Sequence, residues 1–468
     1  MLFTELFVFF VTTIPTLSVK AQAPAQDEIK SLPGLTVKPT FKQYSGFLNA
    51  GPNRRLHYWF AASQTSKASV DPVVIWVNGG PGCCSSMLTL MMEHGPFRPT
   101  DNGQHLVPND FSWNKVANVL FLDAPAGSGY SYDATGNYTT DDERAADDTY
   151  LAIEDFFHKF SLYNTNDLYV VGQGHAATHV TLVVERLLED PAVKLMGYAI
   201  NNGILDERFR GNSLMFFGYY HGLFGRRLWK KLTTNCCNGA INRTSCNFVD
   251  STIATCQEAV KEAGNIIGTP GLNMFNIYAK CEPSKNESDC LFESEESSDM
   301  CRRSKNWFVR HPGMADKDIR WSPSCLDTSE VAAYMNRQDV KTALHVDESP
   351  NQWVPCSDVV KYKVMYTDLR EIIKKISSSD KVRALFYYGD VDMVSNFLGA
   401  KWFIDNLRHQ TLVTYEQWLF KQQIGGYVEY YAGNIVYLTI KGAGHRVSRD
   451  KPPVSLQIIT RFVTNLPF

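Results

Sequence analysis

Apolar residues gather in short unbroken runs, each followed by a turn rich in glycine or proline. Val73-Val-Ile-Trp-Val77 leads into Asn78-Gly-Gly-Pro-Gly82, and Asn118-Val-Leu-Phe-Leu-Asp123 leads into Ala124-Pro-Ala-Gly127. Leu168–Val171 and Gly197–Ile200 repeat the theme. So do Val382–Tyr388, before Gly389-Asp-Val-Asp392, and Asn434–Ile440, before Gly442-Ala-Gly-His445. Runs of this length without alternation predict strands buried on both faces, as in a mostly parallel sheet flanked by helices. Ligand sites in such sheets lie at the carboxyl ends of the strands, so the glycine-rich turns fall where chemistry is expected. Between Tyr44 and Ser63 apolar and polar positions alternate around Asn49-Ala-Gly-Pro-Asn53, which predicts a hairpin. Pro453–Asn465 predicts a closing helix, and no internal repeat is visible.

The strand rhythm stops between about Arg208 and Ser324. That segment holds Cys236, Cys237, Cys246, Cys256, Cys281, Cys290 and Cys301, the basic stretch Arg226-Arg-Leu-Trp-Lys-Lys231, and the acidic stretch Glu293-Ser-Glu-Glu-Ser-Ser-Asp299. It reads as a disulfide-rich cap inserted into the sheet domain. The expected organisation is a signal peptide over 1–21, a first core part over 22–207, the cap over 208–324 and a second core part over 325–468. The basic stretch reads as a solvated helix face. The acidic stretch, followed by Arg302-Arg303, reads as an exposed loop and a candidate for proteolytic processing.

Composition narrows the class. A chain of 468 residues with a net charge of -3 carries no electrostatic footprint for nucleic acid or anionic membranes. Leu2–Leu17 followed by Val19-Lys20-Ala21 resembles a signal sequence with its cleavage site, and no later apolar run reaches the ~18 residues of a membrane span. Eleven cysteines in a secreted chain point to disulfides. Histidines do not accompany them at zinc spacing, so neither metal nor cofactor is expected. Asn-x-Ser/Thr sequons at Asn137, Asn242 and Asn286 agree with secretory passage.

Leu168-Tyr-Val-Val-Gly-Gln-Gly-His-Ala-Ala-Thr-His-Val180 combines a strand, a sharp Gly172-x-Gly174 turn and a helix continued by Leu182, Val183, Leu187 and Leu188. This is the layout of the nucleophile elbow of an α/β-hydrolase, in which the middle residue of the turn carries the attacking oxygen. Here that residue is Gly174, which has no side chain.

Asn78-Gly-Gly-Pro-Gly-Cys-Cys-Ser-Ser86, Phe121-Leu-Asp-Ala-Pro-Ala-Gly-Ser-Gly-Tyr-Ser-Tyr132, Gly389-Asp-Val-Asp-Met393 with Asn396-Phe397, and Lys441-Gly-Ala-Gly-His445 resemble the serine carboxypeptidases, in the same order, from about Ile29 to the C-terminus. The resemblance implies an α/β-hydrolase fold, hydrolysis of peptides from the C-terminus at acid pH, and a secreted or lysosomal protein, with a homodimer as the analogous assembly. It makes Asp392 the residue that orients His445, and His445 the general base and then acid. Backbone N–H groups of Gly80 and His175 would form the oxyanion hole. Asn78, Glu93 and Gln173 would bind the terminal carboxylate of a peptide, a protonated Glu93 favouring that binding at acid pH. It also implies the disulfides Cys236–Cys256, Cys237–Cys246 and Cys281–Cys325, with Cys356 joined to Cys83 or Cys84; Cys290–Cys301 would be an addition.

The departures sit at the site. The family elbow reads Gly-Glu-Ser-Tyr-Ala-Gly, against Gly172-Gln-Gly-His-Ala-Ala177 here. After His445 the family has Met-Val-Pro, against Arg446-Val-Ser448, so Arg446 changes or fills the pocket of the leaving residue. Thr178 and His179 should point away from the elbow, and Ser85 and Ser86 belong to a neighbouring loop. Three functions stay open. One is a non-hydrolytic protein that binds peptide C-termini or a protein partner. The second is an active carboxypeptidase with an unusual nucleophile, and the third is another acyl-transfer or hydrolytic activity using His445 with water. Covalent labelling by a fluorophosphonate separates the second from the others.

Overall fold

Successive side chains of a strand point to opposite faces of its sheet, and Val73–Val77 shows the consequence. Val73, Ile75 and Val77 enter one apolar core, while Val74 and Trp76 enter another on the far side. All five are essentially inaccessible to solvent. Each aliphatic side chain so buried contributes about 1.5–3 kcal/mol, which is why an unbroken apolar run settles in the middle of a covered sheet.

The computed structural model describes residues 23–80, 82, 85–268, 271–281 and 325–468. The signal-peptide reading, Cys83, Cys84, Asn286, Cys290, Cys301 and Arg302-Arg303 therefore lie outside the described residues. The sheet-forming strands are β1 (Gln43–Asn49), β2 (Arg54–Ala61), β3 (Val73–Val77), β4 (Asn118–Leu122), β5 (Leu168–Gln173), β6 (Leu195–Asn201), β7 (Arg383–Gly389), β8 (Thr411–Phe420), β9 (Gln423–Tyr431) and β10 (Ile435–Ile440). With the short Tyr132–Asp133, which pairs with β2, they form one eleven-stranded sheet in the order β1-β2-β4-β3-β5-β6-β7-β10-β9-β8. The central strands from β4 to β10 run parallel, and hairpins at both margins are antiparallel. This mixed sheet with flanking helices is the α/β-hydrolase fold.

Register places the chemistry. Val77 pairs with Gly172, Gln173 with Asn201, Asn201 with Tyr387, and Gly389 with Ile440. The turns that follow these strands therefore emerge along one rim.

The edge hairpin of β8 and β9 is absent from the sequence reading. Most of β8 is exposed, so it offers no continuous apolar run to notice. After Asp206 the chain forms helices Glu207–Tyr220, Arg226–Cys236 and Ala254–Ile267. These share a third apolar cluster that includes Leu214, Phe217, Leu232, Val260 and, from the loop after β7, Met393. In Arg226–Cys236 the residues Leu228, Trp229 and Leu232 are buried while Arg226, Arg227, Lys230 and Lys231 face solvent. Disulfides join Cys236 to Cys256, Cys237 to Cys246 and Cys281 to Cys325. Cys356 is also disulfide-bonded. Among the described residues no helix is long and apolar enough to cross a membrane.

Candidate active site

The turn after β5 is tight because nothing but backbone fits there. A Cβ on Gly172 would stand 2.7 Å from Val180 Cγ2 and 2.9 Å from Ala176 Cβ, so its absence lets helix Ala176–Leu187 pack directly on the strand. Gly174 has φ +63°, a conformation L side chains rarely adopt. Its N–H donates to Asn201 O at 3.0 Å, and its carbonyl accepts from Ile204 N at 3.1 Å. The apex is thus fixed on both sides.

A Cβ on Gly174 would meet His445 Nε2 at 3.1 Å and Cε1 at 3.5 Å, and, its chain neighbours aside, no other atom of the described residues within 4 Å. On the other side of that ring, His445 Nδ1 lies 2.8 Å from Asp392 Oδ2. Asp392 is fully buried. Its carboxylate also accepts from Asn202 Nδ2 at 2.8 Å, Val394 N at 2.9 Å and Ser395 N at 3.3 Å. An ionised carboxylate only accepts, so Nδ1 carries the imidazole proton and Nε2 presents its lone pair towards Gly174.

The backbone of His445 is held as firmly as its ring. Its N–H donates to Phe275 O at 2.7 Å. Its carbonyl accepts from Gln173 Nε2 at 2.9 Å and Asn201 Nδ2 at 2.8 Å. The Phe275 ring meets the imidazole edge-on at 5.3 Å. Met393 N donates to Met274 O at 3.1 Å, so one segment, 274–275, ties the Asp392 loop to the His445 loop. Sequence reasoning missed Asn202, Phe275 and Asn201. The Asn201-Asn202-Gly203 turn at a strand end was a usable signal for two of them; Phe275 left none.

The loop after β3 presses onto the elbow. A Cβ on Gly79 would overlap Gln173 O at 1.9 Å and Ala176 N at 2.3 Å, and Gly80 has φ +117°. Only glycine lets this backbone approach the His175–Ala176 peptide so closely. Ser85 Oγ donates to Asp123 Oδ1 at 2.6 Å, and Ser86 Oγ donates to Leu122 O at 2.6 Å. Both hydroxyls are buried and engaged away from His445.

The three groups expected to meet a terminal carboxylate are each engaged with protein. Asn78 Oδ1 accepts from Gly79 N at 3.1 Å, and Gln173 holds His445 as described. Glu93, fully buried at its side chain, pairs with Arg446 Nη1 at 3.0 Å and accepts from Ser448 Oγ at 2.6 Å. A buried carboxylate needs such partners. The charge that Glu93 brings is therefore matched from within, by residues that stand next to His445 in the chain. His94 Nδ1 donates to Ser448 Oγ at 3.2 Å, and burial pushes His94 well below the usual histidine range, so it adds no charge.

Two further histidines are structural. His57 lies 3.2 Å from Asp123 Oδ2 and 3.1 Å from Ser45 Oγ, an outwardly triad-like set that is wholly inaccessible to solvent. His179 Nε2 accepts from Thr149 Oγ1 at 2.7 Å, beneath the elbow helix. Asn137 and Asn242 are exposed. Among the described residues no three His, Cys, Asp or Glu side chains converge as metal ligands would.

Known proteins share the sequence pattern and the fold of this chain. The profile of the serine carboxypeptidases matches residues 33–465. The chain is 38% identical over 458 residues to the lysosomal protective protein of Mus musculus, covering 95% of each. It is 34% identical over 478 residues to a serine carboxypeptidase of Caenorhabditis elegans, covering 99% of this chain and 98% of that one. A prohormone-processing carboxypeptidase from Saccharomyces cerevisiae shares the fold, with a TM-score of 0.72 at 22% identity over 95% of this chain and 96% of that one. With the strand order, the elbow and the Asp392–His445 pair already in place, the chain belongs to the serine carboxypeptidase family.

Proposed function

We propose that this serine carboxypeptidase homologue binds peptide C-termini at the strand rim without hydrolysing them. One observation carries the reading: Gly174, with no side chain, is the residue that faces His445 Nε2. Asp392 and His445 retain the geometry of a general base, but Gly174 places no hydroxyl between the base and a substrate carbonyl. Loss of a triad serine costs about 10⁶-fold in kcat, roughly 8 kcal/mol of transition-state stabilisation. Gly80 and His175 would still offer backbone N–H groups to a bound carbonyl. Asn78, Gln173 and the Glu93–Arg446 pair would meet the terminal carboxylate. In this reading Arg446 supplies a permanent positive charge where the family uses a protonated acid.

The same reading places the protein in the secretory pathway, secreted or lysosomal, on the strength of its relatives, its disulfides and its exposed sequons. A homodimer is the assembly to expect by analogy.

The test is hydrolysis of N-acylated dipeptides near pH 5 by the natural protein, by Gly174→Ser, and by Gly174→Ser with Gln173→Glu. A silent natural protein with active revertants supports the reading. Cleavage by the natural protein, with labelling of some other residue by a fluorophosphonate, overturns it.

A further inference from the structure

We infer that the exposed face of helix Arg226–Cys236 is a docking surface for a sulfated polysaccharide. This surface does not involve the strand rim, and the inference stands whatever binds there.

An α-helix turns about 100° per residue, so positions 226, 227, 230 and 231 share one contiguous face. All four of these residues are cationic and exposed, while Leu228, Trp229 and Leu232 pack inward. Lys231, at one margin of the face, meets Glu262 Oε2 at 2.9 Å. Glu258, the other acid of the adjoining helix Ala254–Ile267, makes no ion pair with the face. Among the described residues Arg226, Arg227 and Lys230 are met by no carboxylate. Neighbouring arginines are answered, Arg208 by Asp250 at 3.5 Å and Arg243 by Asp405 at 2.8 Å.

The arrangement works against the helix that carries it. Arg226 and Arg227 stand in the first turn, which holds no acidic residue, and Gly225 at the N-cap supplies no side chain. Cations at that end oppose the helix dipole. Arg226 with Lys230, and Arg227 with Lys231, are like charges one turn apart, which is a destabilising spacing. The helix is held in spite of this by its buried side and by the disulfides of Cys236 with Cys256 and Cys237 with Cys246. Unanswered cations kept at a cost to the fold, on a chain whose net charge is -3, point to a polyanion.

Two features choose the polyanion. The apolar side of the helix is turned into the protein, so it has no apolar face left to enter a bilayer. Tyr220, 69% exposed, stands with its ring 6.5 Å from that of Trp229. A solvent-facing aromatic ring, on which a sugar can lie, therefore adjoins the cationic helix. The paired arginines add forked donors that hold two oxygens of one oxyanion at once.

The experiment is equilibrium binding of a heparin octasaccharide by the natural protein at low and high salt, beside polyglutamate and vesicles containing phosphatidylserine. The octasaccharide should bind most tightly, and its binding should weaken as salt rises. Arg226→Gln, Arg227→Gln and Lys230→Gln in one chain should lower its affinity by about tenfold or more. That variant should melt no lower than the natural protein, because it removes like-charge repulsion. Lys38→Gln, Lys67→Gln and Lys381→Gln make the same change of net charge at exposed positions elsewhere, and should leave the affinity within about twofold. Equal weakening by the two triple variants would show net charge alone at work and overturn the inference. Polyglutamate or vesicles bound as tightly as the octasaccharide would overturn it too, in favour of an acidic protein or a membrane surface. No binding by the natural protein overturns it as well. If Glu293→Gln, Glu295→Gln and Glu296→Gln then restore binding, the occupant of the face is the acidic stretch of the chain itself.

Discussion

His445 Nε2 and Gly174 face one another so closely that a Cβ on the glycine would stand 3.1 Å from that nitrogen. A side chain here thus enters at the cost of both a strained backbone and a small displacement of the imidazole. Positive φ at a non-glycine residue costs about 1–3 kcal/mol. Gly174→Ala should therefore lower the free energy of unfolding by roughly that amount, read as a shift of the denaturation midpoint. Gly174→Ser should be destabilised similarly while gaining reactivity towards a fluorophosphonate that the alanine variant lacks. A serine variant as stable as the natural protein would show that the apex carries no strain.

Asn202 holds the Asp392 carboxylate at 2.8 Å through Nδ2 and accepts from Gly389 N at 3.1 Å through Oδ1. Both its neighbours are buried. Removing one partner of a buried hydrogen bond costs about 1–3 kcal/mol, so Asn202→Leu should destabilise the fold on that scale. In a Gly174→Ser background it should also reduce kcat more than KM is raised, because the imidazole loses its fixed orientation. Unchanged kcat in that background would show that the backbone donors of Val394 and Ser395 suffice.

The fold was legible because burial on both faces leaves a sequence no choice: Val73–Val77 and Asn118–Leu122 are apolar throughout, and their terminating turns follow from strand register. Asp392 and His445 were legible for the same reason, each standing just beyond such a run. The ion pair of Glu93 with Arg446 was not, since 353 positions separate its partners and neither residue betrays the other by spacing. The sequence suggested that Arg446 alters the leaving-residue pocket. What escaped it is that Arg446 answers a carboxylate expected to await a proton. The hairpin of β8 and β9 was hidden by exposure, since an edge strand needs little apolar content.

Burial, with the charges of His175 and Arg186 behind it, pushes His179 down to about 3. In the unfolded chain a histidine titrates near ~6.5. Between these values the unfolded state binds a proton that the native state does not, so stability falls as pH drops below 6.5, by roughly 2 kcal/mol at pH 5. Asp148, pushed up to about 6 by burial in spite of Arg54, has the opposite slope over the lower part of that window. The comparison is therefore with His179→Gln, which keeps a hydrogen-bonding group near Thr149 but does not titrate. The difference in unfolding free energy between the two proteins should change by roughly 2 kcal/mol from pH 7 to pH 5. Parallel pH profiles would exonerate His179.

Cys281 and Cys325 are joined across a sequence separation of 44, and this bond brackets Arg302-Arg303. The same two residues flank the acidic stretch that the sequence marks for processing. Cleavage after either arginine would therefore cut the chain without separating its halves. The amino-terminal product carries the elbow and the carboxyl-terminal product carries Asp392 and His445, so the candidate site draws on both. Limited digestion with a trypsin-like protease should give two bands on a reducing gel and one band of full size on a non-reducing gel. Because the sheet also interleaves the two halves, β6 from the first pairing with β7 from the second, a Cys281→Ser, Cys325→Ser variant should stay associated after cleavage under native conditions. Because Cys356 in the second half is also disulfide-bonded, the halves should come apart in denaturant without reductant only once Cys356→Ser is added. Separation of the cleaved natural protein in denaturant alone would mean that Cys281–Cys325 does not form in solution.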